Sequence, residues 1–165
     1  MELITRRFGT IEVLDENALA VPAGIPGFPN MRRATLMGAS AMSGAEHTEA
    51  DAADGDELPL FWLQDLDDGD LAFLCLVPWG TFPDYDFDID GDELGIDDEA
   101  DVRILNIITV RRTEQANTMT ANLRAPLVVD VRNQRLHQVI LTDNRWSVNA
   151  PIAALESVMS QGEVH

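Results

Sequence analysis

Leu60-Phe-Trp-Leu-Gln-Asp-Leu-Asp-Asp-Gly-Asp-Leu-Ala-Phe-Leu-Cys-Leu-Val77 decides the fold class. Its two ends, residues 60–64 and 71–77, are short apolar runs rich in aromatic side chains, and the middle is an acidic break containing Gly69. Runs of that length bounded by Gly, Pro or Asp read as strands. Residues 33–37, 102–110, 118–131 and 136–141 repeat the pattern, with little helix between them. Ala125-Pro126 interrupts the segment 118–131, because proline removes a ladder donor, so an edge, bulge or corner is expected there. The reading is all-β: an antiparallel barrel or sandwich.

Outward from that centre, residues 3–13 alternate around Gly9 and predict a β-hairpin. Asp15 and Asn17 suit a helical turn reaching Ala20, and the closely spaced Pro22, Gly24, Pro26, Gly27 and Pro29 then demand a shaped loop. Residues 38–57 lack aromatics and are rich in Ala, Gly and acids; they are expected to form a mobile surface loop, with His47 solvated. Two short helical turns are expected, at 91–95 and 151–159. One domain is expected over residues 1–142, followed by a C-terminal tail, 143–165, partly disordered.

Charge narrows the partners. The 165 residues carry 29 Asp+Glu against 11 Lys+Arg, a formal net charge of −18, and every cation is Arg. None of them lies between Arg33 and Arg103. Such a field repels nucleic acid and anionic membranes and speeds encounter with cationic proteins by roughly 10- to 1,000-fold at low salt. Acidity could equally serve solubility alone. The N-terminus lacks a signal-peptide pattern and no apolar run approaches the ~20 residues that span a bilayer, so a cytoplasmic protein is expected. Cys75, the sole cysteine, reads as an inert core thiol.

Catalytic readings do not assemble. His47, His137 and His165 lack metal-ligand spacing, and no phosphate loop or nucleophile elbow is present, so no cofactor is expected. His137 reads as packed or hydrogen-bonded on a strand edge. The run Asp86-Phe-Asp-Ile-Asp-Gly-Asp-Glu-Leu-Gly-Ile-Asp97 mimics an EF-hand calcium loop through its first, third, fifth and sixth positions. It fails at the eighth, Glu93, and the twelfth, Asp97, while Phe82-Pro83 blocks a long preceding helix. A strand with Tyr85, Phe87 and Ile89 inward and Asp84, Asp86 and Asp88 outward explains the same spacing without a metal. A calcium-binding acidic β-module is the alternative function on this run. Trp62 reads as core; Trp79, between Pro78 and Gly80, reads as an exposed anchor for a partner.

The segments Gly24-Ile-Pro-Gly-Phe28, Pro59-Leu-Phe-Trp-Leu-Gln64, Asp70-Leu-Ala-Phe73, Phe82-Pro-Asp-Tyr85, Thr120-Ala-Asn-Leu-Arg-Ala-Pro-Leu-Val-Val129 and Gln138-Val-Ile-Leu141 occur in an order that resembles the flagellar assembly factor FliW family, from about Leu3 to Leu141. The resemblance implies a small β-barrel-like protein without catalytic activity that binds flagellin and, alternatively, the translational regulator CsrA, relieving repression of flagellin mRNA; a monomer is expected when it is free. It also implies action on CsrA at a site distinct from its RNA surface, whereas acidity alone would suggest RNA mimicry. Expected contact residues are Phe82, Pro83, Asp84, Tyr85, Asp86, Asp88 and Trp79. Phe82 and Tyr85 could instead be barrel core. Asn122 and Arg124 could serve either a partner or strand-corner hydrogen bonds. The longer loop at 38–57 and the tail after Asn144 depart from the family pattern.

Overall fold

The computed structural model describes residues 1–38, 60–114 and 117–152. Among them the expected strands form, in the order β1 (Glu2–Thr5), β2 (Gly9–Glu12), β3 (Leu19–Ala20), β4 (Arg33–Gly38), β5 (Leu60–Asp65), β6 (Ala72–Leu76), β7 (Val102–Arg112), β8 (Asn117–Ala121), β9 (Leu127–Asp130), β10 (Arg135–Gln138) and β11 (Ala150–Pro151). The first two make the expected hairpin, turning through Arg6–Phe8 with Gly9 at φ +70°. The others share one sheet in the order β11-β8-β7-β6-β5-β4-β3-β10-β9.

β7 closes that sheet into a ring. One edge pairs with β6, while the other pairs first with β9 through Val102–Leu105 and then with β8 through Ile108–Arg112. The all-β, barrel-like expectation is met, with one departure. β10 runs parallel to β3, meeting it at Arg135 and Ala20. The two-residue β3 follows a 3-10 turn at Asp15–Asn17, and Gln134 ties that turn down by donating to the carbonyls of Asp15 and Ala18.

Side-chain alternation builds two cores. Every ring strand contributes to the inner one, including Leu19, Ala34, Leu63, Cys75, Leu105, Leu127, Val129 and Leu136. Residues of opposite parity, such as Leu60, Leu74, Leu76 and Ile108, point outward and meet Tyr85, Leu123, Leu141 and Ile152 in a second core. Residues 143–152, placed by sequence in the tail, thus belong to the fold. Ser147 accepts the Leu123 N–H, and β11 pairs with β8, so the helical turn expected from residue 151 begins instead as strand. The expected loop at 38–57, apart from Gly38, and the tail beyond 152 lie outside the described residues, as do His47 and His165.

Proline 126 splits the expected 118–131 strand, as its missing donor requires. The helical turn at Gly91–Leu94 forms, capped by the Asp90 carboxylate on the Glu93 N–H and ended by Gly95 at φ +72°. The Pro/Gly loop is pinned by reciprocal hydrogen bonds between Ile25 and Phe28. Gly24 is required there, at φ +68° with a hypothetical Cβ only 2.8 Å from the Pro29 carbonyl oxygen. Trp62 departs from its expected core position: it is half-buried, with the Phe8 ring edge-on at 5.7 Å and the Arg7 guanidinium 4.4 Å above it. The outward parity of its strand position is the reason.

Candidate functional site

Between β6 and β7 the chain leaves the sheet and crosses its outer face. Pro78 starts a 3-10 turn that lifts Trp79 to 43% exposure, and Phe82 and Tyr85 close successive turns through their N–H groups. After the turn at 83–84, residues 85–90 carry no regular secondary structure, yet burial over 84–90 alternates as a strand's would. Tyr85 is inward, Phe87 and Ile89 half-buried, and Asp84, Asp86 and Asp88 exposed.

The anchor of this segment is Tyr85, 2% exposed. Its hydroxyl donates to the Leu123 carbonyl at 2.5 Å and accepts from Asn106 Nδ2 at 3.2 Å. Burial pushes its pKa up to about 12, with the Asn106 hydrogen bond opposing, so the phenol stays neutral. Two indoles clamp the backbone beside it. Trp79 Nε1 donates to the Tyr85 carbonyl at 2.8 Å and Trp146 Nε1 to the Asp86 carbonyl at 3.0 Å. Trp146 also packs edge-on against the Tyr85 ring at 4.8 Å.

The result is an open groove of about 370 Å³ between this segment and the first half of β7. Trp79, Val102 and Ile104 line it, and Asp86, Asp88 and Glu99 are the acidic residues of its lining. Among the described residues no cation lines it. Chemically it offers an apolar surface and fixed negative charge to a cationic polypeptide.

The expected contact residues therefore divide. Trp79, Asp86 and Asp88 meet at the groove, and Pro83 and Asp84 are exposed just before it. Phe82 is half-buried against the second core, and Tyr85 is fully committed to it. Asn122 serves the strand corner: its Oδ1 accepts the N–H groups of Arg124 and Ala125, at 3.2 and 3.1 Å. Arg124 donates to Asn144 Oδ1 at 2.5 Å. Glu99 and Trp146 were missed by sequence; Trp146 lies 60 residues from the carbonyl it holds, and only its apolar, aromatic character hinted at a role.

The EF-hand-like run is used otherwise. Its sixth to ninth positions are helix, Asp90 is spent on the cap, and Asp97 accepts from Asn133 Nδ2 at 3.1 Å. Among the described residues no three His, Cys, Asp or Glu side chains stand together as metal ligands. Cys75 is wholly buried and burial raises its thiol pKa, in keeping with an inert core thiol. Among the described residues, no helix is long and apolar enough to cross a membrane.

Comparison with known proteins points one way. Residues 2–152 match the family model described as FliW protein. The chain is similar to a flagellar assembly factor FliW of Alkaliphilus metalliredigens, 36% identical over 144 residues that cover 86% of this chain and 79% of that one. It is 31% identical over 155 residues to a protein of the same name from Caldanaerobacter subterraneus, covering 92% and 93%. A crystal structure of the flagellar assembly factor FliW superposes with a TM-score of 0.73 at 28% identity, covering 92% of this chain and 96% of that one.

Proposed function

The chain belongs to the FliW protein family, and on that premise we propose that it is a cytoplasmic flagellar assembly factor acting by docking onto polypeptides and transforming no substrate. The partners proposed are flagellin and, in alternation, the translational regulator CsrA, whose capture relieves repression of flagellin mRNA. The observation that carries this reading is the groove at Trp79, which among the described residues combines an exposed indole with three carboxylates and no cation.

CsrA binds RNA, so its surface carries basic residues, and an anionic groove complements them. Asp84, Asp86 and Asp88 steer the encounter; Trp79 supplies the anchor. The segment needs no ordering on binding, because Tyr85 and the two indoles already hold it. Phe82 and Tyr85 act beneath the contact as supports, and Asn122 and Arg124 hold the corner on which Tyr85 rests. Action on CsrA follows coupling between separate sites rather than occupation of its RNA surface.

Size-exclusion chromatography with purified flagellin and CsrA tests the proposal. Each should co-elute with this monomer, and adding flagellin should release CsrA. Failure of both to bind would overturn it, and full displacement of this chain by rising RNA with an unchanged end point would replace coupling with mimicry.

A further inference from the structure

A second groove lies at the other end of β7, and its charge is opposite. The side chains of Val102 and Ile104 face the acidic groove; Ile108, Val110 and Arg112 share their parity and line the second one, on the order of 25 Å further along the strand. The second groove has a volume of about 690 Å³. Apolar side chains from β5 to β8 line it, Trp62, Leu74 and Val110 among them, and among the described residues its charged lining is Arg7 and Arg112.

In a chain of formal charge −18, a groove edged by two arginines and, among the described residues, by no carboxylate is an exception. The ion pairs among the described residues are Arg33–Asp67, Arg132–Asp101 and Arg145–Asp143, so neither groove arginine is neutralised by one. Arg7 instead lies 4.4 Å above the Trp62 ring, a cation–π contact that holds the guanidinium beside the groove, where its N–H groups can donate to a carboxylate. Val110, near the end of β7, is an apolar side chain left 37% exposed. A cleft of this size takes the side chains of a short segment, not a domain.

We propose that this groove docks a partner segment whose apolar side chains are flanked by carboxylates. The apolar side chains fill the space beside Trp62 and Val110, and Arg7 and Arg112 take the carboxylates through paired N–H donors. This goes beyond the function proposed above, which assigns the acidic groove to a cationic partner. Because the two grooves are separated along β7, both can be filled at once.

The whole protein's charge makes the test sharp, since any diffuse attraction would favour a basic peptide. Titration calorimetry would compare a capped, soluble peptide of leucine and glutamate with one in which lysine replaces every glutamate. The glutamate peptide should bind at least roughly ten-fold tighter, a difference of the size that one anchoring side chain supplies. The double variant Arg7→Glu/Arg112→Glu should abolish that binding, Val110→Glu should weaken it, and Asp86→Lys/Asp88→Lys should leave it in place. Equal or tighter binding of the lysine peptide would overturn the proposal, as would indifference to the arginine reversals. Sedimentation of the protein alone, showing a dimer that the arginine reversals dissociate, would also overturn it by giving the groove to a second copy.

Discussion

The Trp79 indole N–H donates to the Tyr85 carbonyl oxygen at 2.8 Å, so the exposed aromatic of the acidic groove is fixed by the backbone of a tyrosine buried in the second core. An anchor held this way loses little freedom on binding. Trp79→Ala should weaken CsrA binding by roughly 30-fold, about 2 kcal/mol, as for a hot-spot aromatic. It should cost only about 1 kcal/mol of folding stability, the worth of one hydrogen bond. Calorimetry and urea unfolding separate the two, and Trp79→Phe should keep part of the affinity.

Tyr85→Phe tests the support. The substitution keeps the ring among Phe87 and Trp146 but strips the hydroxyl from Leu123 and Asn106, leaving a buried carbonyl without its side-chain donor. About 1–3 kcal/mol of stability should be lost. The urea midpoint should fall with its slope unchanged, and CsrA affinity at a temperature where the variant is folded should change by less than it does for Trp79→Ala.

These two residues also mark how far the sequence could be read. Alternation in 84–90 correctly placed Tyr85 inward and the aspartates outward, because parity is a local property. It could not decide between contact and core for the Phe-Pro-Asp-Tyr loop, since that depends on Leu123 and Trp146, 38 and 61 residues away. Residues 143–152 escaped for a related reason. Their strand is two residues long, and what orders them is burial of Ile152 and Trp146 against strands already formed. Strands of five residues or more, such as β5 and β7, carried enough alternating apolar side chains to be legible alone.

His137 should make stability pH-dependent. Burial lowers its pKa below the ordinary imidazole value, with Arg135 acting in the same direction and Asp130 opposing. Its Nε2 is buried without a partner among the described residues. The unfolded chain therefore takes up a proton more readily than the folded one, and stability is complete above the unfolded pKa near 6.5 and lost as pH falls toward the folded value. The thermal midpoint should drop between pH 7 and pH 5, and His137→Gln should flatten that part of the profile.

Gly69 fixes the hairpin to the ring. Its carbonyl accepts the Arg6 N–H at 3.0 Å, and a Cβ at this position would overlap the Ile4 carbonyl oxygen. Both neighbours are backbone, so neither can swing aside. Gly69→Ala should displace β1 and β2 and cost about 1–3 kcal/mol, as overpacking does. Faster amide exchange confined to residues 2–12 would identify the displaced element; unchanged exchange there would mean that the turn at 67–70 absorbs the methyl group.

Asp84, Asp86 and Asp88 share the exposed side of a segment that Tyr85 holds rigid, so their charges add at one place on the surface. Charges at a rim act mainly before contact, through the rate of encounter, and salt screens them within about 10 Å at 0.1 M. Replacing all three by lysine should slow association with CsrA by roughly ten-fold or more at low salt and flatten its dependence on ionic strength. Dissociation should change less, because Trp79 and the apolar floor of the groove remain. Stopped-flow association at several salt concentrations reads both quantities. Unchanged association kinetics would remove this face from the mechanism.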